Sequence, residues 1–522
     1  MATPVSVATI TTRNWQYPEG SSRGYVEQRG GCGLAKTVSC RFAVVVVISW
    51  VTKSHLNLIN SHHARQVKIQ MPIILTINAG SSSIKYQCFE MVGEVCLAKG
   101  QIDRLNSSKP ELTYHRHDGT NYQLELTAQP YQKWFPLICA TLIDPQHGTI
   151  DDLEVIIAVG HRVVHGGCHF SSAVLVVPSV EVLIEQLADL APLHNPFNLQ
   201  GIRAVAQFLK EVPQVAVFDT AFHQTIPPHA HVYPIPYHFY QQHHIRRYGF
   251  HGTSHNYVAQ RAADILGQPI ESLKIVSCHL GSGASVTAID GGVSVDTSMG
   301  FTPLAGLMMG TRCGDIDSSL IFQLINQHQM RPDQVMELLN DHSGLLGVSG
   351  VSADMRDLLN QLSSEEETSE RVLLALNMFC YRVSQYIGQY AATLGGFDVL
   401  IFTGGIGENA PCIRTKICQK LGFLGIQLSH QQNNSKGHEK PIHSELTTIK
   451  VLVIPTNEEL MIARSTLQLL QTMPDPQNPV TEFERPRSNP LIGRVASKAT
   501  DKIKELISSS YAQSSCLYRY FP

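Results

Sequence analysis

The chain contains the same three-part pattern twice, once in each half of the sequence. Met71–Tyr86 and Lys274–Ile289 each begin with a short apolar run, turn at glycine and serine residues, and continue into a second run. Such runs predict buried β-strands, and glycine allows the sharp turn between them. A unit that recurs in both halves predicts an α/β protein with two duplicated domains that face one nucleotide from opposite sides.

The first turn carries groups that suit an anion and a cation. The serine hydroxyls and backbone N–H groups after Gly80 can face an anion, and Lys85 adds a positive charge. Asn78 offers a neutral oxygen that suits a hard cation such as Mg²⁺. The spacing does not match the Walker pattern of P-loop ATPases. Taken alone, this stretch fits a hairpin without function as well as it fits a phosphate site.

The composition excludes several classes of protein. A chain of 522 residues is long enough for more than one domain. Its 40 basic and 43 acidic residues are nearly balanced, which gives no indication of nucleic acid or a membrane surface as partner. The 12 cysteines include no C-x-x-C pair, and this indicates reduced thiols in the cytoplasm. No apolar run reaches the roughly 20 residues of a membrane-spanning helix.

The two ends of the chain differ from the rest. Residues 1–70 hold eight Lys or Arg and two acids, so they fit an organelle transit peptide or translated sequence upstream of a start at Met71. The second interpretation is favoured because Met71 opens the first strand directly. We expect residues 1–70 and 472–522 to be mostly disordered. Phe42–Val51 is either a strand or a chance apolar run, and Ser497–Ser508 predicts one amphipathic helix.

In the first half, two predicted strands end in polar residues. Leu153–Gly160 leads into Arg162, and Val212–Phe218 leads into Asp219. Ligands of α/β sheets bind at strand ends, so Arg162 and Asp219 are candidate site residues. A helix is predicted over Ser179–Leu190, and Pro196 suits the start of the next helix.

In the second half, Arg246–His255 precedes a helix that is predicted to start near Tyr257, with Thr253 or Ser254 as its cap. His251 and His255 are candidate site residues, but as isolated histidines they fit a core or helix-capping role better. Further elements are predicted as a helix over Glu370–Leu394, a strand over Val399–Phe402, a strand over Val451–Pro455 and a helix that ends near Leu470. The glycines after Val399–Phe402 allow close approach of a ligand, or simply make a tight turn into a helix.

Eight segments, in order along the chain, resemble the acetate kinase family, which shares its superfamily with actin, sugar kinases and heat-shock ATPases. They are INAGSSSIKY, GHRVVHGG, FDTAFHQTIP, RRYGFHGTSH, GTRCGDID, GVSADMRDL, FTGGIGENA and IPTNEELMIAR. The resemblance covers Met71 to about Leu470. It implies two duplicated actin-like (ribonuclease H-like) domains with the active site in the cleft. Domain I would span residues 71–220, closed by a helix at 458–471, and domain II residues 221–457.

The resemblance also implies roles for matching positions. The catalytic residues implied are Asp219, His251 and Arg312. The substrate site implied comprises Arg162, which would hold a carboxylate, together with Val164, Leu193, His194, Phe250 and Pro303. Since a carboxylate is already ionised at neutral pH, we interpret Asp219 as a residue that orients an arginine or the metal shell and not as a general base.

Nucleotide and metal positions follow from the same matches. The ATP-binding residues implied are Lys85, Ser81, Ser83, His279, Leu280, Gly281, Ser282, Gly283, Asp354, Met355, Arg356, Gly405, Ile406, Gly407, Glu408 and Asn409. Asn78 and Glu458 match the residues at the Mg²⁺ site, where Mn²⁺ is an alternative. Three positions depart from the family: Ser282 replaces Asn, Cys313 replaces Ser and puts a thiol near the site, and Phe197 replaces a small residue.

The activity implied is reversible transfer of the ATP γ-phosphoryl group to acetate, which gives acetyl phosphate and ADP. A propionate or other short-chain acyl kinase is the first alternative, and Val164 favours acetate because a smaller residue would leave room for a longer chain. A non-catalytic, actin-like nucleotide-binding module is the second. The family resemblance also implies a homodimer formed largely through the second domain.

Overall fold

The computed structural model describes residues 72–362, 368–435 and 439–473. The predicted leader, the run Phe42–Val51, the helix Ser497–Ser508 and the tail beyond Met473 lie outside these residues. Two mixed β-sheets form the framework. Among the described residues, the first sheet has eight strands: β1 (Ile73–Ala79), β2 (Ser83–Glu90), β3 (Val95–Asp103), β4 (Glu111–Arg116), β5 (Asn121–Glu125), β6 (Ile156–Val163), β7 (Val174–Leu175) and β8 (Gln214–Phe218).

The second sheet is built from later segments. Within the described ranges its six strands are β9 (Lys274–Leu280), β10 (Ala284–Asp290), β11 (Val293–Thr297), β12 (Val399–Thr403), β13 (Lys440–Pro441) and β14 (Lys450–Val453). The α-helices are α1 (Trp134–Leu142), α2 (Pro178–Gln186), α3 (Asn195–Phe208), α4 (Pro228–His231), α5 (His238–His243), α6 (Gly252–Leu266), α7 (Ser319–Asn326), α8 (Pro332–Asp341), α9 (Gly344–Ser349), α10 (Met355–Gln361), α11 (Thr368–Leu394), α12 (Gly404–Asn409), α13 (Pro411–Cys418), α14 (His430–Asn434) and α15 (Glu458–Thr472).

Five strands of each sheet follow one plan. The first sheet contains the order β3-β2-β1-β6-β8 and the second contains β11-β10-β9-β12-β14. In both, the first three strands are antiparallel neighbours and the last three run parallel. The predicted duplication of an α/β unit is therefore confirmed. The two sheets lie on either side of residue 220 in the sequence, and the exact domain boundaries stay a prediction.

The cores follow from the apolar faces of these elements. The strands β8 and β12 are buried along their whole length, as expected where helices cover both faces of a sheet. Trp134 and Phe135 of α1 pack on the first sheet, while α11 packs on the second. A third cluster joins residues of β1, β9, α6 and α15, so α15 packs in a core to which both sheets contribute. No helix in the described part of the chain is long and apolar enough to cross a membrane.

Most predicted elements are present, with shifted ends. The two hairpins and the strand at Val399 are confirmed, and Pro196 lies in the first turn of α3. Leu153–Val155 is a 3₁₀ turn and not a strand, because the Asp152 side chain accepts the Glu154 N–H and caps it. The helix predicted over Ser179–Leu190 ends at Gln186 and continues as a 3₁₀ turn.

The cap predicted for the helix near Tyr257 is wrong. Helix α6 starts at Gly252, and its N-cap is His251, whose side chain makes no cap hydrogen bond. The Thr253 hydroxyl instead donates to Asp219, and the Ser254 hydroxyl lies 2.8 Å from a ring nitrogen of His279. Tertiary hydrogen bonds therefore take the two hydroxyls that the local pattern assigned to the helix.

Candidate active site

An arginine–aspartate pair lies at the ends of two neighbouring parallel strands. Arg162 is near the end of β6, and Asp219 directly follows β8. Nε and Nη2 of Arg162 both donate to Oδ2 of Asp219, with 3.1 Å for Nε. The Asp219 side chain is 1% exposed, whereas that of Arg162 is 19% exposed. The pair therefore presents the arginine to solvent and buries its counter-ion.

Two residues of α6 hold Asp219 from the other side. The Thr253 hydroxyl donates to Oδ1 at 2.8 Å, and the Gly252 N–H donates to the Asp219 carbonyl at 3.0 Å. A Cβ atom on Gly252 would lie 2.2 Å from that carbonyl oxygen, so only glycine fits there. The start of α6 is thereby fixed against the end of β8.

Asn78 and Glu458 lie next to the same arginine, and Lys85 is the strand partner of Asn78. Asn78 Oδ1 accepts from Arg162 Nη1 at 3.4 Å, and a Glu458 oxygen lies 3.9 Å from Arg162 Nε. Burial, followed by the charge of Asp219, raises the pKa of Glu458 to about 7. Ser81 lies in the turn that joins β1 and β2, and Ser83 is the first residue of β2, where its carbonyl accepts from the Gly80 N–H.

His251 and Arg312 converge above the second Gly–Ser turn. A Cβ atom on Gly283 would lie 3.3 Å from Nε2 of His251 and 3.6 Å from Nη1 of Arg312. His251 has φ = 56°, a conformation that is uncommon outside glycine and that often marks a functional site. Burial, then the neighbouring His279, lowers the pKa of His251 well below its usual value, so the ring is neutral.

The predicted substrate residues lie close to this region, and all of them except Leu193 are at least partly buried. Val164 and Phe250 are buried in one apolar cluster, and the Pro303 carbonyl accepts from Arg312 Nη1 at 3.3 Å. Burial, then the charges of nearby Arg162 and Arg312, lowers the pKa of His194 to about 4. Leu193 is 69% exposed and so does not cover Val164 in this structure.

The three predicted nucleotide loops meet at one cavity of about 660 Å³. Its walls come from Gly281 and Ser282, from Ala353–Arg356, and from Gly405, Ile406 and Asn409. These segments are far apart in sequence, so the fold brings them together. Leu280 is buried in the core of the second sheet, and only its backbone can face a ligand. His279 lies behind the loop and stacks on His251, with 4.3 Å between ring centroids.

Two further residues of the third loop, Gly407 and Glu408, stabilise the loop itself. Oε1 of Glu408 accepts from the Gly404 N–H at 2.9 Å, and Gly407 is buried in α12. Both therefore fix the turn after β12. Lys85 is not among the residues that line the 660 Å³ cavity. It lines a smaller cavity of about 270 Å³ with Lys99 and Glu459.

The three departures from the family differ in their surroundings. Ser282 is exposed in the 660 Å³ cavity, and its carbonyl accepts from the Gly310 N–H. The Cys313 thiol donates to the Gly314 carbonyl and lines a separate cavity with Met378 and Tyr381, so it does not face the nucleotide loops. Phe197 packs on Tyr131, whose hydroxyl donates to the Gly80 carbonyl.

The sequence interpretation missed several positioning residues. The Asn198 side chain accepts from the Val164 N–H and donates to the Ala79 carbonyl, which ties β6 to β1 at the site. Asn195 forms two hydrogen bonds with the backbone of His165. The spacing of these asparagines on one face of α3, just after His194, was the available signal. Ser277 and Ser285, polar residues in buried strands, were a second.

Comparisons with known proteins identify the family and the fold of the chain. The profile described as "Acetokinase family" matches residues 73–464. An acetate kinase from Dictyoglomus turgidum is 49% identical over 76% of this chain and 97% of its own length. The solved structure of Porphyromonas gingivalis acetate kinase has 42% identity and a TM-score of 0.72, covering 76% of this chain and all of that one. A propionate kinase from Francisella tularensis has 40% identity and a TM-score of 0.70, covering 76% and 99%. The chain belongs to the acetokinase family and has the duplicated actin-like fold of its kinases.

Proposed function

We propose that this kinase transfers the γ-phosphoryl group of ATP to acetate in a direct and reversible step. A carboxylate oxygen of acetate forms a bond to phosphorus while the bond to the β-bridging oxygen breaks, and ADP leaves. The observation that carries the proposal is the position of Arg162. It is held by buried Asp219, next to His194 and within a site that also holds His251 and Arg312.

Arg162 is suited to hold the acetate carboxylate. A guanidinium offers forked donors that match a carboxylate, and Asp219 keeps this fork oriented. Buried Val164 and Phe250 supply apolar surface for the methyl group. Because acetate is ionised at neutral pH, no general base is required, and the hydrogen bonds that Asp219 accepts from Arg162 and Thr253 support an orienting role.

His251 and Arg312 are suited to stabilise the transferring phosphoryl group. Its transition state spreads negative charge over oxygen atoms, and fixed donors placed there before reaction give the largest benefit. Nε2 of His251 and Nη1 of Arg312 face the same space above Gly283. The cavity formed by the three loops supports the binding of the adenosine part of ATP beside this space.

Asn78 and Glu458 form a donor set that fits Mg²⁺. This ion is usually held by one or two carboxylates together with water and phosphate oxygens. In the described part of the chain no cluster of three or more His, Cys, Asp or Glu forms a protein-only metal site. Burial, and then the charge of Asp219, raises the pKa of Glu458, and a bound cation would offset both effects on its carboxylate. Mg²⁺, or Mn²⁺ in its place, would neutralise phosphate charge there.

Acyl-kinase activity tests this proposal directly. Hydroxylamine traps acyl phosphates, so formation of the hydroxamate is measured with ATP and with acetate, propionate or butyrate at matched concentrations. We expect acetate to give the highest kcat/KM, with propionate slower, because one methylene contributes about 1–3 kcal/mol of discrimination. ATP binding without any acyl phosphate would refute the proposal and support a non-catalytic nucleotide-binding module.

Propionate is a second candidate substrate because a solved structure similar to this chain is that of a propionate kinase. Val164 still favours acetate, since its side chain is buried at the apolar end of the site. Replacement of Val164 by alanine should raise kcat/KM for propionate relative to acetate. An unchanged ratio would argue against Val164 as the residue that limits the length of the acyl group.

A homodimer is the proposed assembly. Apolar side chains on α7, α8 and α11 are exposed, and they are Leu320, Phe322, Met336, Leu374, Met378 and Tyr381. These side chains of the second half of the chain are available for contact with a second copy. Light scattering of the wild-type chain and of Phe322→Asp tests the assembly, and we expect the variant to dissociate. The cytoplasmic location stays a prediction from the cysteine pattern.

A further inference from the structure

A buried chain of serine and histidine side chains lies behind His251. The Ser285 hydroxyl is 2.9 Å from Nδ1 of His251 and 2.8 Å from Nε2 of His255. The Ser277 hydroxyl is 2.9 Å from Nδ1 of His255. Ser277, Ser285 and His255 are fully buried. None of the three faces the ligand cavities.

The hydrogen atoms of this chain have two kinds of consistent arrangement. Burial lowers the pKa of both His251 and His255 well below the usual range, so each ring is neutral and carries one N–H. A hydroxyl also carries one hydrogen. Each contact then needs one donor and one acceptor. Either all hydrogens point toward Nδ1 of His251, or Nδ1 itself carries a hydrogen and donates to Ser285, which then either donates to His255 or accepts from it as well.

The two kinds of arrangement leave His251 with opposite chemistry at the reaction site. If Ser285 donates to Nδ1, the ring hydrogen is on Nε2, and Nε2 is a donor. If Nδ1 donates to Ser285, Nε2 presents a lone pair. Nε2 faces the space above Gly283 that Arg312 also faces. Phosphoryl oxygens accept hydrogen bonds, so only the first arrangement contributes to catalysis.

We propose that Ser277, His255 and Ser285 are positioning residues that hold His251 in its Nε2–H tautomer. Ser277 donates to His255, His255 donates to Ser285, and Ser285 donates to His251. The inference rests on the proposed function, because that function requires a donor at Nε2. Its result is a neutral donor that is already directed at the phosphoryl group before ATP and acetate bind.

The neighbouring ring is held in a parallel way. The Thr456 hydroxyl donates to the Ser254 hydroxyl at 2.7 Å, so the Ser254 hydrogen is left for Nδ1 of His279, 2.8 Å away. Nε2 of His279 then carries the hydrogen and lies 3.8 Å from the Cβ position of Gly281. Two stacked neutral rings, each fixed by a serine at Nδ1, thus direct N–H groups to the turn Gly281–Gly283.

The tautomer can be measured without substrate. In full-length protein labelled with ¹⁵N-histidine, long-range ¹H–¹⁵N spectra distinguish Nε2–H from Nδ1–H rings, and His251→Gln identifies the His251 signals by their loss. We expect Nε2–H in the wild-type protein. In Ser285→Ala we expect a mixture of tautomers and a kcat about 10-fold lower, the equivalent of one neutral hydrogen bond. The KM values for ATP and acetate should change less than about twofold.

Ser294→Ala is the matched control. Ser294 is as buried as Ser285 and lies 2.8 Å from Nδ1 of His223, so its loss perturbs packing equally. The Phe250 carbonyl already fixes His223 as Nε2–H, because a carbonyl only accepts. The control should retain the His251 signals and kcat. If Ser285→Ala is unstable, Ser277→Ala should show the same changes to a smaller degree.

The outcomes separate this inference from the proposed function. A wild-type His251 in the Nδ1–H form, or Ser285→Ala with unchanged spectra and kcat, would overturn the tautomer assignment even if acetate is phosphorylated. Equal losses of kcat in Ser285→Ala and Ser294→Ala with unchanged tautomers would show a packing effect and would also overturn it. Absence of acyl-kinase activity in a wild-type protein with Nε2–H spectra would refute the function alone.

Discussion

Replacement of Arg162 by lysine tests the carboxylate site most sharply. Arginine donates twice to Asp219 Oδ2 and once to Asn78. Lysine keeps the positive charge near buried Asp219 but lacks the planar fork that matches a carboxylate. Alanine would be a poorer test, since an unpaired buried carboxylate typically destabilises a protein by about 3–5 kcal/mol. The lysine variant should therefore remain folded.

The expected loss follows from one charge-assisted hydrogen bond to the substrate. Such a bond contributes about 1.5–3 kcal/mol, so the KM for acetate should rise about 10- to 150-fold. The KM for ATP should change little, because the nucleotide loops form a separate cavity that Arg162 does not line. Initial rates of hydroxamate formation, measured against acetate concentration at saturating ATP and against ATP concentration at saturating acetate, give the two constants.

Arg203→Lys is the control for this substitution. Arg203 pairs with Glu181 and Glu185 on the surface of α2 and α3, outside the site. Exposed pairs contribute little, so this variant should match the wild-type protein in rate and in stability. A lysine at position 162 with an unchanged KM for acetate would show that Arg162 does not hold the substrate.

Three further predictions concern catalysis, the nucleotide loops and pH. Arg312→Ala or His251→Gln should lower kcat about 10²- to 10³-fold with little change in the KM for acetate, as expected for donors used in the transition state, and a change confined to KM in steady-state rates would contradict their roles. Ser282→Asn adds a donor and acceptor to the 660 Å³ cavity and should lower the KM for ATP about 2- to 10-fold at unchanged kcat, and an equal or higher KM would show that position 282 does not contact the nucleotide. Burial lowers the pKa of His161 to about 4, below the ordinary value of 6.5, so the unfolded chain binds more protons between these values and stability falls as pH decreases. This residue should contribute a loss of about 2 kcal/mol between pH 7 and pH 5, and His161→Gln should show a smaller loss in urea denaturation at the two pH values, whereas equal losses would contradict the assignment.

The sequence correctly predicted an element of secondary structure where a single local rule determined that element. The hairpins at Ile73 and Lys274 have apolar runs and a glycine turn, and both formed as predicted. The start of α6 was predicted wrongly because residues distant in sequence bond the hydroxyls that were expected to cap the helix. Thr253 and Ser254 look like caps, but Asp219 and His279 lie close enough to bond their hydroxyls. A local rule has no access to such partners, which are distant in sequence.

Most of the site residues were predicted from the family resemblance. The residues that position them were not predicted. Strand ends identified Arg162 and Asp219 from chemistry alone, since parallel neighbours end at one edge. The residues Ser277 and Ser285 lie in strands that look apolar, and their value depends on which histidine faces them. That pairing depends on the packing of α6 against β9 and β10, which sequence spacing does not determine.

The duplicated fold explains how one site performs two different tasks. Both glycine turns close with a backbone hydrogen bond from their first glycine, from the Gly80 N–H to the Ser83 carbonyl and from the Gly281 N–H to the Gly283 carbonyl, so the second turn is one residue shorter. The surroundings then differ. The first turn adjoins Asn78 and the acidic end of α15, while the second adjoins neutral histidines and an arginine. A cation and a carboxylate substrate suit the first set, and an anionic phosphoryl group suits the second. The two halves of the fold thus place corresponding turns at one site, and the residues around each turn give them complementary charge.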